Sequence, residues 1–344
     1  MSQSGWQHIL GQRDAVEFLR HAAKTDRLPH GMIFAGPVGV GKATTAAALA
    51  QWFLCAAPNG DTACGACESC RLMAAGNHPD YHVIKRELIR YHDKTGKSKG
   101  IDLSIQVIRP ELIEPANRKP MMGRGKVFIV EEADLMNAAA QNSLLKTLEE
   151  PAGRTIIMLL TASPDGLLPT VRSRCQLVRF APLPAELVID QLKSRGLSAA
   201  VVHGAAELSD GSLGGALRLI DDGIVEPAAE LTSRIDALLR GQAAADLAEW
   251  LKKNADAYAQ RQLDRDELAS KDAAARQGLA LYLSLAARRL RAALGDANDP
   301  DRLEQICTAI DSLARCLEYL DANVTVSLAL EQLSVSLSRE LTAV

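Results

Sequence analysis

Two constellations in this sequence are built for chemistry. The first is residues 36–42, Gly-Pro-Val-Gly-Val-Gly-Lys. Glycines at Gly36, Gly39 and Gly41 let backbone N–H groups turn toward phosphate oxygens, and Lys42 can reach β- and γ-phosphates. The helix expected to open there adds partial positive charge. A loop that hydrolyses nucleotide places Ser or Thr after its lysine, because that hydroxyl ligates Mg²⁺. Ala43 holds the position here, and Thr44, one step round the helix, points elsewhere. The sequence thus supplies a cradle for ATP or ADP at Gly36, Gly39, Gly41, Lys42 and Thr44, with a magnesium ligand missing.

The second constellation is Cys55, Cys64, Cys67 and Cys70, spaced C-x₈-C-x₂-C-x₂-C. Four thiolates so placed suit a closed, structural zinc site. An iron–sulfur cluster or bare thiols are the alternatives; a ferredoxin run has its further cysteine soon after the third, whereas here it lies upstream. The seven cysteines are an odd number, and no export signal stands at the start, so thiolates or a metal fit better than a disulfide framework.

Two weaker features complete the inventory. The apolar run 127–130 ends in Glu131-Glu132. An acidic pair at a strand end can serve Mg²⁺ and polarise a water, a role open to Glu132. Glu131 stands where Asp is usual, and one extra methylene is enough to disturb octahedral magnesium. Ser173-Arg174-Cys175 taken alone reads as a surface ion-pair partner beside a packed cysteine, since no histidine accompanies Cys175.

The elements that must position these residues alternate. Apolar runs at 32–35, 81–85, 127–130, 155–162 and 176–180 predict strands, and helical spacing predicts helices over 12–25, 42–54 and 138–150, the last stopped by Pro151. Such alternation implies an α/β domain with a mostly parallel sheet. After 181–184 strand signals stop, and Ala- and Leu-rich helices follow, with Leu330, Leu333, Leu337 and Leu341 on one face of the last. Lys85, Arg86, Arg90, Lys94, Lys97 and Lys99 are mixed with acids and read as a solvated loop. The net charge of −3 argues against a chain that grips DNA alone. No apolar run approaches the length of a membrane span, so a cytoplasmic protein is expected.

Longer stretches carry a resemblance. Residues 126–151, KVFIVEEADLMNAAAQNSLLKTLEEP, and 167–176, LLPTVRSRCQ, resemble the bacterial clamp-loader subunits of the AAA+ superfamily. GQRDAVEFL near the start, the four cysteines and the order of domains agree. The resemblance implies an α/β AAA+ P-loop domain over 1–181 with a zinc module inserted at about 55–76. A small helical lid over 182–224 and a helical collar over 225–344 would follow. It implies that Arg174 is an arginine finger, acting in trans on a neighbouring subunit's nucleotide. In GSLGGALRL (211–219), Gly214 stands where the motor subunits carry a nucleotide-sensing Arg, and Arg218 follows one turn later. Ala43, Glu131 and Gly214 together resemble the non-motor branch of that family, whose own ATPase would be weak or absent. Implied partners are motor subunits and delta in a five-subunit ring, and through it a sliding clamp and primed DNA. An active motor subunit, or a zinc-bearing nucleic-acid-binding module, are the alternatives.

Overall fold

The computed structural model describes residues 5–25, 27–92, 102–242, 246–265, 270–297, 299–322 and 324–342. Lys94, Lys97 and Lys99 lie outside them. The chain forms two compact units, 1–191 with 209–215, and 192–208 with 216–344.

In the first unit the five apolar runs become strands: β1 (Gly31–Ala35), β2 (Tyr81–Ile84), β3 (Lys126–Val130), β4 (Thr155–Thr161) and β5 (Gln176–Arg179). All pairings are parallel, in the order β2-β3-β4-β1-β5. The strands are apolar throughout because both faces are covered. Met32, Phe34, Val127, Ile129, Ile156 and Met158 face one core, shared with helices Arg13–Lys24 and Lys42–Leu54. Ile33, Phe128, Val130, Ile157 and Leu159 face the other, under helix Ala138–Glu149. That helix starts where the Asn137 side chain accepts the Ala140 N–H at 3.0 Å, and ends before Pro151.

Parallel strands put all their C-terminal ends on one edge of the sheet. The loop after β1, the acids after β3 and Thr161 at the end of β4 share that edge. Arg154 before β4 and Arg174 before β5 lie on the other.

The second unit is helical. Helices Val225–Leu239, Leu247–Arg265, Lys271–Asp296, Pro300–Asp321 and Val326–Thr342 enclose one apolar core. Leu330, Leu333, Leu337 and Leu341 are all buried in it, on the face their spacing predicts. Tyr282 is fully buried there, edge-on to Trp250, and its hydroxyl has no hydrogen-bond partner among the described residues. No described helix is long and apolar enough to cross a membrane.

Candidate nucleotide site and metal centre

The loop 36–41 leaves β1 and enters helix Lys42–Leu54 through Gly41, whose φ of +105° is open mainly to glycine. The first amides of that helix lack intrahelical partners and form the anion-binding end. Lys42 is buried, and its Nζ donates to the carbonyls of Gly36 (2.5 Å) and Pro37 (2.6 Å). Burial pushes its pKa down to about 8, partly opposed by the nearby Asp134 carboxylate. Ala43 and Thr44 are exposed, while the buried Thr45 hydroxyl donates back to Gly41 O at 2.9 Å.

Two clamps fix the loop from outside. The Gln12 amide donates to Val40 O (3.2 Å) and Ala181 O (2.7 Å) and accepts the Ala181 N–H (3.0 Å), so the P-loop and the chain leaving β5 are tied together. Ser212 donates to Val38 O at 2.6 Å, while Gly214 N donates to Gly39 O at 3.0 Å. The two backbones nearly touch: a Cβ on Gly214 would stand 2.8 Å from Gly39 Cα. Gly214 is therefore more than a lost arginine, because only glycine admits this approach.

The acidic pair is engaged from the β2 side of the sheet. Glu131 pairs with Lys85 at 3.2 Å and Glu132 with Arg86 at 3.1 Å, both cations coming from just beyond β2. Lys85 and Arg86 stay about half exposed, as a solvated segment would be, and in addition carry these ion pairs. The carboxylate that acts on Lys42 is Asp134, whose Oδ1 accepts the Thr161 hydroxyl at 2.6 Å. Arg218 falls in the second unit, where its charge acts on Tyr258.

Arg174 is one-third exposed; its Nε donates to Glu149 at 2.6 Å and its Nη1 to Thr170 O at 2.9 Å. Its carbonyl lies beside Gly31, at the start of β1. The P-loop starts at Gly36, just past the far end of that five-residue strand, about 16 Å away at about 3.3 Å per residue. Cys175 is half-buried, and burial pushes its thiol up to about 12, as suits a packing residue.

The four cysteine sulfurs lie within 4.8 Å of one another. Cys55–Cys67 and Cys64–Cys70 are 3.9 and 4.0 Å apart. Tetrahedral zinc with bonds of 2.3 Å would set sulfurs about 3.8 Å apart, so the donor set fits. Burial raises the Cys67 pKa, but N–H donors from Cys70 and Ala56 outweigh it and hold the thiol at about 6; burial pushes Cys70 up. The insertion is also pinned from without. Arg20 Nε donates to Asp61 at 2.5 Å and Trp52 to Gly60 O at 3.0 Å. The Ser69 hydroxyl bridges Leu54 O (2.8 Å) and His78 Nε2 (2.9 Å).

The family described as "DNA polymerase III, delta subunit" matches residues 11–184, half of the chain. The chain belongs to that family. It is 35% identical to DNA polymerase III subunit delta' of Pseudomonas aeruginosa over 64% of this chain and 65% of that one. It is 36% identical to subunit delta' of Escherichia coli over 60% and 59%. Subunit tau of Salmonella typhimurium matches at 29% over 67% of this chain and 35% of its own. The chain thus spans less than two thirds of the length of these relatives. The matched family region takes in the P-loop, the cysteine cluster, the acidic pair and Arg174. Sequence reasoning missed Gln12, Asp134, Glu149 and Ser212 as positioning groups. Gln12, Asp134 and Glu149 sit inside stretches that carried the resemblance and Ser212 inside the lid segment 211–219, and that was their only signal.

Proposed function

We propose that this chain is a non-motor, delta-prime-like subunit of the DNA polymerase III clamp loader, and that Arg174 completes a neighbouring subunit's ATPase site. The observation that carries this reading is the position of Arg174 on the sheet edge opposite its own P-loop. An arginine so placed cannot stabilise charge on a nucleotide bound in the same chain. Its guanidinium is always charged, planar and parked on a surface carboxylate that a neighbour's phosphate can displace. The helical unit would then serve as the collar joining the chain to motor subunits and delta in a five-membered ring, with segment 182–224 as the lid. The ring would act on a sliding clamp and primed DNA. Zinc in the four-cysteine site would be structural, since all four ligands come from the protein.

The relatives named delta' and the ion-paired acids support the non-motor reading. The tau relative and the intact Lys42 favour a second one, an active motor. DNA- and clamp-stimulated ATP hydrolysis by the reconstituted loader separates them. With Arg174→Ala, hydrolysis at the one site facing this chain should fall by roughly 10³ or more, as removal of an arginine finger does, and the loader's stimulated rate should drop by that site's share. An unchanged rate with the complex intact would remove Arg174 from the mechanism. Turnover that needs this chain's own Lys42 would favour the motor.

A further inference from the structure

Magnesium in a phosphate-binding loop needs near-octahedral oxygens at about 2.0–2.1 Å, drawn from phosphates, water and one or two carboxylates. Around this loop the protein's share has been withdrawn. The position after Lys42 is Ala43, which offers no oxygen. Thr44 is exposed, and the Thr45 hydroxyl is spent on Gly41 O. Glu131 and Glu132 are held by Lys85 and Arg86. Those cations follow β2, and β2 lies on the opposite side of β3 from β4 and β1, so the pairs draw both carboxylates away from the loop. Half-exposed pairs of this kind are individually weak, about 0–1 kcal/mol. Direction and the missing hydroxyl matter more than their strength. One carboxylate, Asp134, stays within electrostatic range of Lys42, and its Oδ1 is taken by the Thr161 hydroxyl at 2.6 Å. What remains for an anion is the amide end of helix Lys42–Leu54 and one buried ammonium, which needs only to exchange the carbonyls of Gly36 and Pro37 for phosphate oxygens.

We propose that this P-loop takes a polyphosphate, such as a nucleoside diphosphate or pyrophosphate, as a metal-free anion. This deepens the reading of residues 36–42 as a nucleotide site. Lys42 and helix amides supply the positive charge that Mg²⁺ supplies elsewhere, and Lys85 and Arg86 act at a distance by keeping the acids from recruiting the metal. Such a site holds a nucleotide without activating a water, so it stabilises the domain and does not turn over.

The test is calorimetric titration of the full chain with ADP, and separately with pyrophosphate, in Mg²⁺ and in EDTA. Binding lost in Lys42→Ala, with affinities in the two buffers agreeing within about threefold, is the expected result. A larger gain with Mg²⁺, or no binding in either buffer, overturns the proposal. A triple variant, Ala43→Thr with Lys85→Met and Arg86→Met, should become Mg²⁺-dependent. If it binds but stays indifferent to Mg²⁺, the assigned cause is wrong; its circular dichroism spectrum confirms that it is folded. The finger role of Arg174 is read by a different assay, so either idea can fail alone.

Discussion

At the scale of single residues, the decisive contacts are short-range and their charges can be followed through a titration. Lys42 in the folded chain loses its proton near pH 8, against about 10.4 unfolded. Between those values the unfolded chain binds more protons, so this group makes stability rise with pH across that window. Phosphate affinity runs the other way: it needs the ammonium, so pyrophosphate binding should weaken as pH climbs through about 8, as calorimetry at a series of pH values would show. Gly39 has a φ of +78°, and a Cβ there would lie 2.4 Å from Ser212 Oγ. Gly39→Ala should lower unfolding free energy by about 1–3 kcal/mol, seen as a drop in thermal midpoint. Tyr282→Phe should go the opposite way. It deletes a buried hydroxyl without a partner, a group whose burial costs about 1–3 kcal/mol, so the midpoint should hold or rise.

At the scale of elements, the cysteine insertion has one anchor in a set of hydrogen bonds and, with zinc in its four-cysteine cluster, would have a second. Zinc-finger peptides draw about 10–16 kcal/mol of apparent folding energy from their ion. The insertion has other support from Asp61, Ser69 and His78, so only part of that should appear. Chelation of the metal should lower the thermal midpoint and raise amide exchange over 55–76, with β1 to β5 protected. Exchange measured on metal-stripped and reloaded protein checks this. These elements were also the most legible part of the sequence. Runs such as TIIMLLT are buried on both faces, so apolarity alone predicts them. The P-loop and cysteine spacing are local codes, readable before folding. Positions such as Glu149 beside Arg174, or Ser212 on Val38, are long-range pairings that no local pattern encodes. Lys85 and Arg86 look like any surface cations until β2 is laid beside β3. The buried helix face at Leu330 to Leu341 was readable for the reason the strands were, a period matching its burial.

At the scale of the whole molecule, the surface pair Arg174–Glu149 should carry about 0–1 kcal/mol of stability. Arg174→Ala should therefore leave the thermal midpoint of the free chain nearly unchanged while lowering ATP turnover at the neighbouring site of the assembled loader. That contrast separates an interface role from a folding role. The parallel sheet that sets it up has a further consequence. Its strands all point one way, so the P-loop and Arg174 lie on opposite edges of the sheet, and on the proposed reading one edge would give an arginine while the other would hold a nucleotide without metal. Contacts between such edges run head to tail and have a direction, as heterologous interfaces do. A subunit that donated an arginine without hydrolysing nucleotide itself would belong at the end of a row, where the chain of triggered sites begins or stops. The order of an assembly built from it would then be written in the orientation of β1.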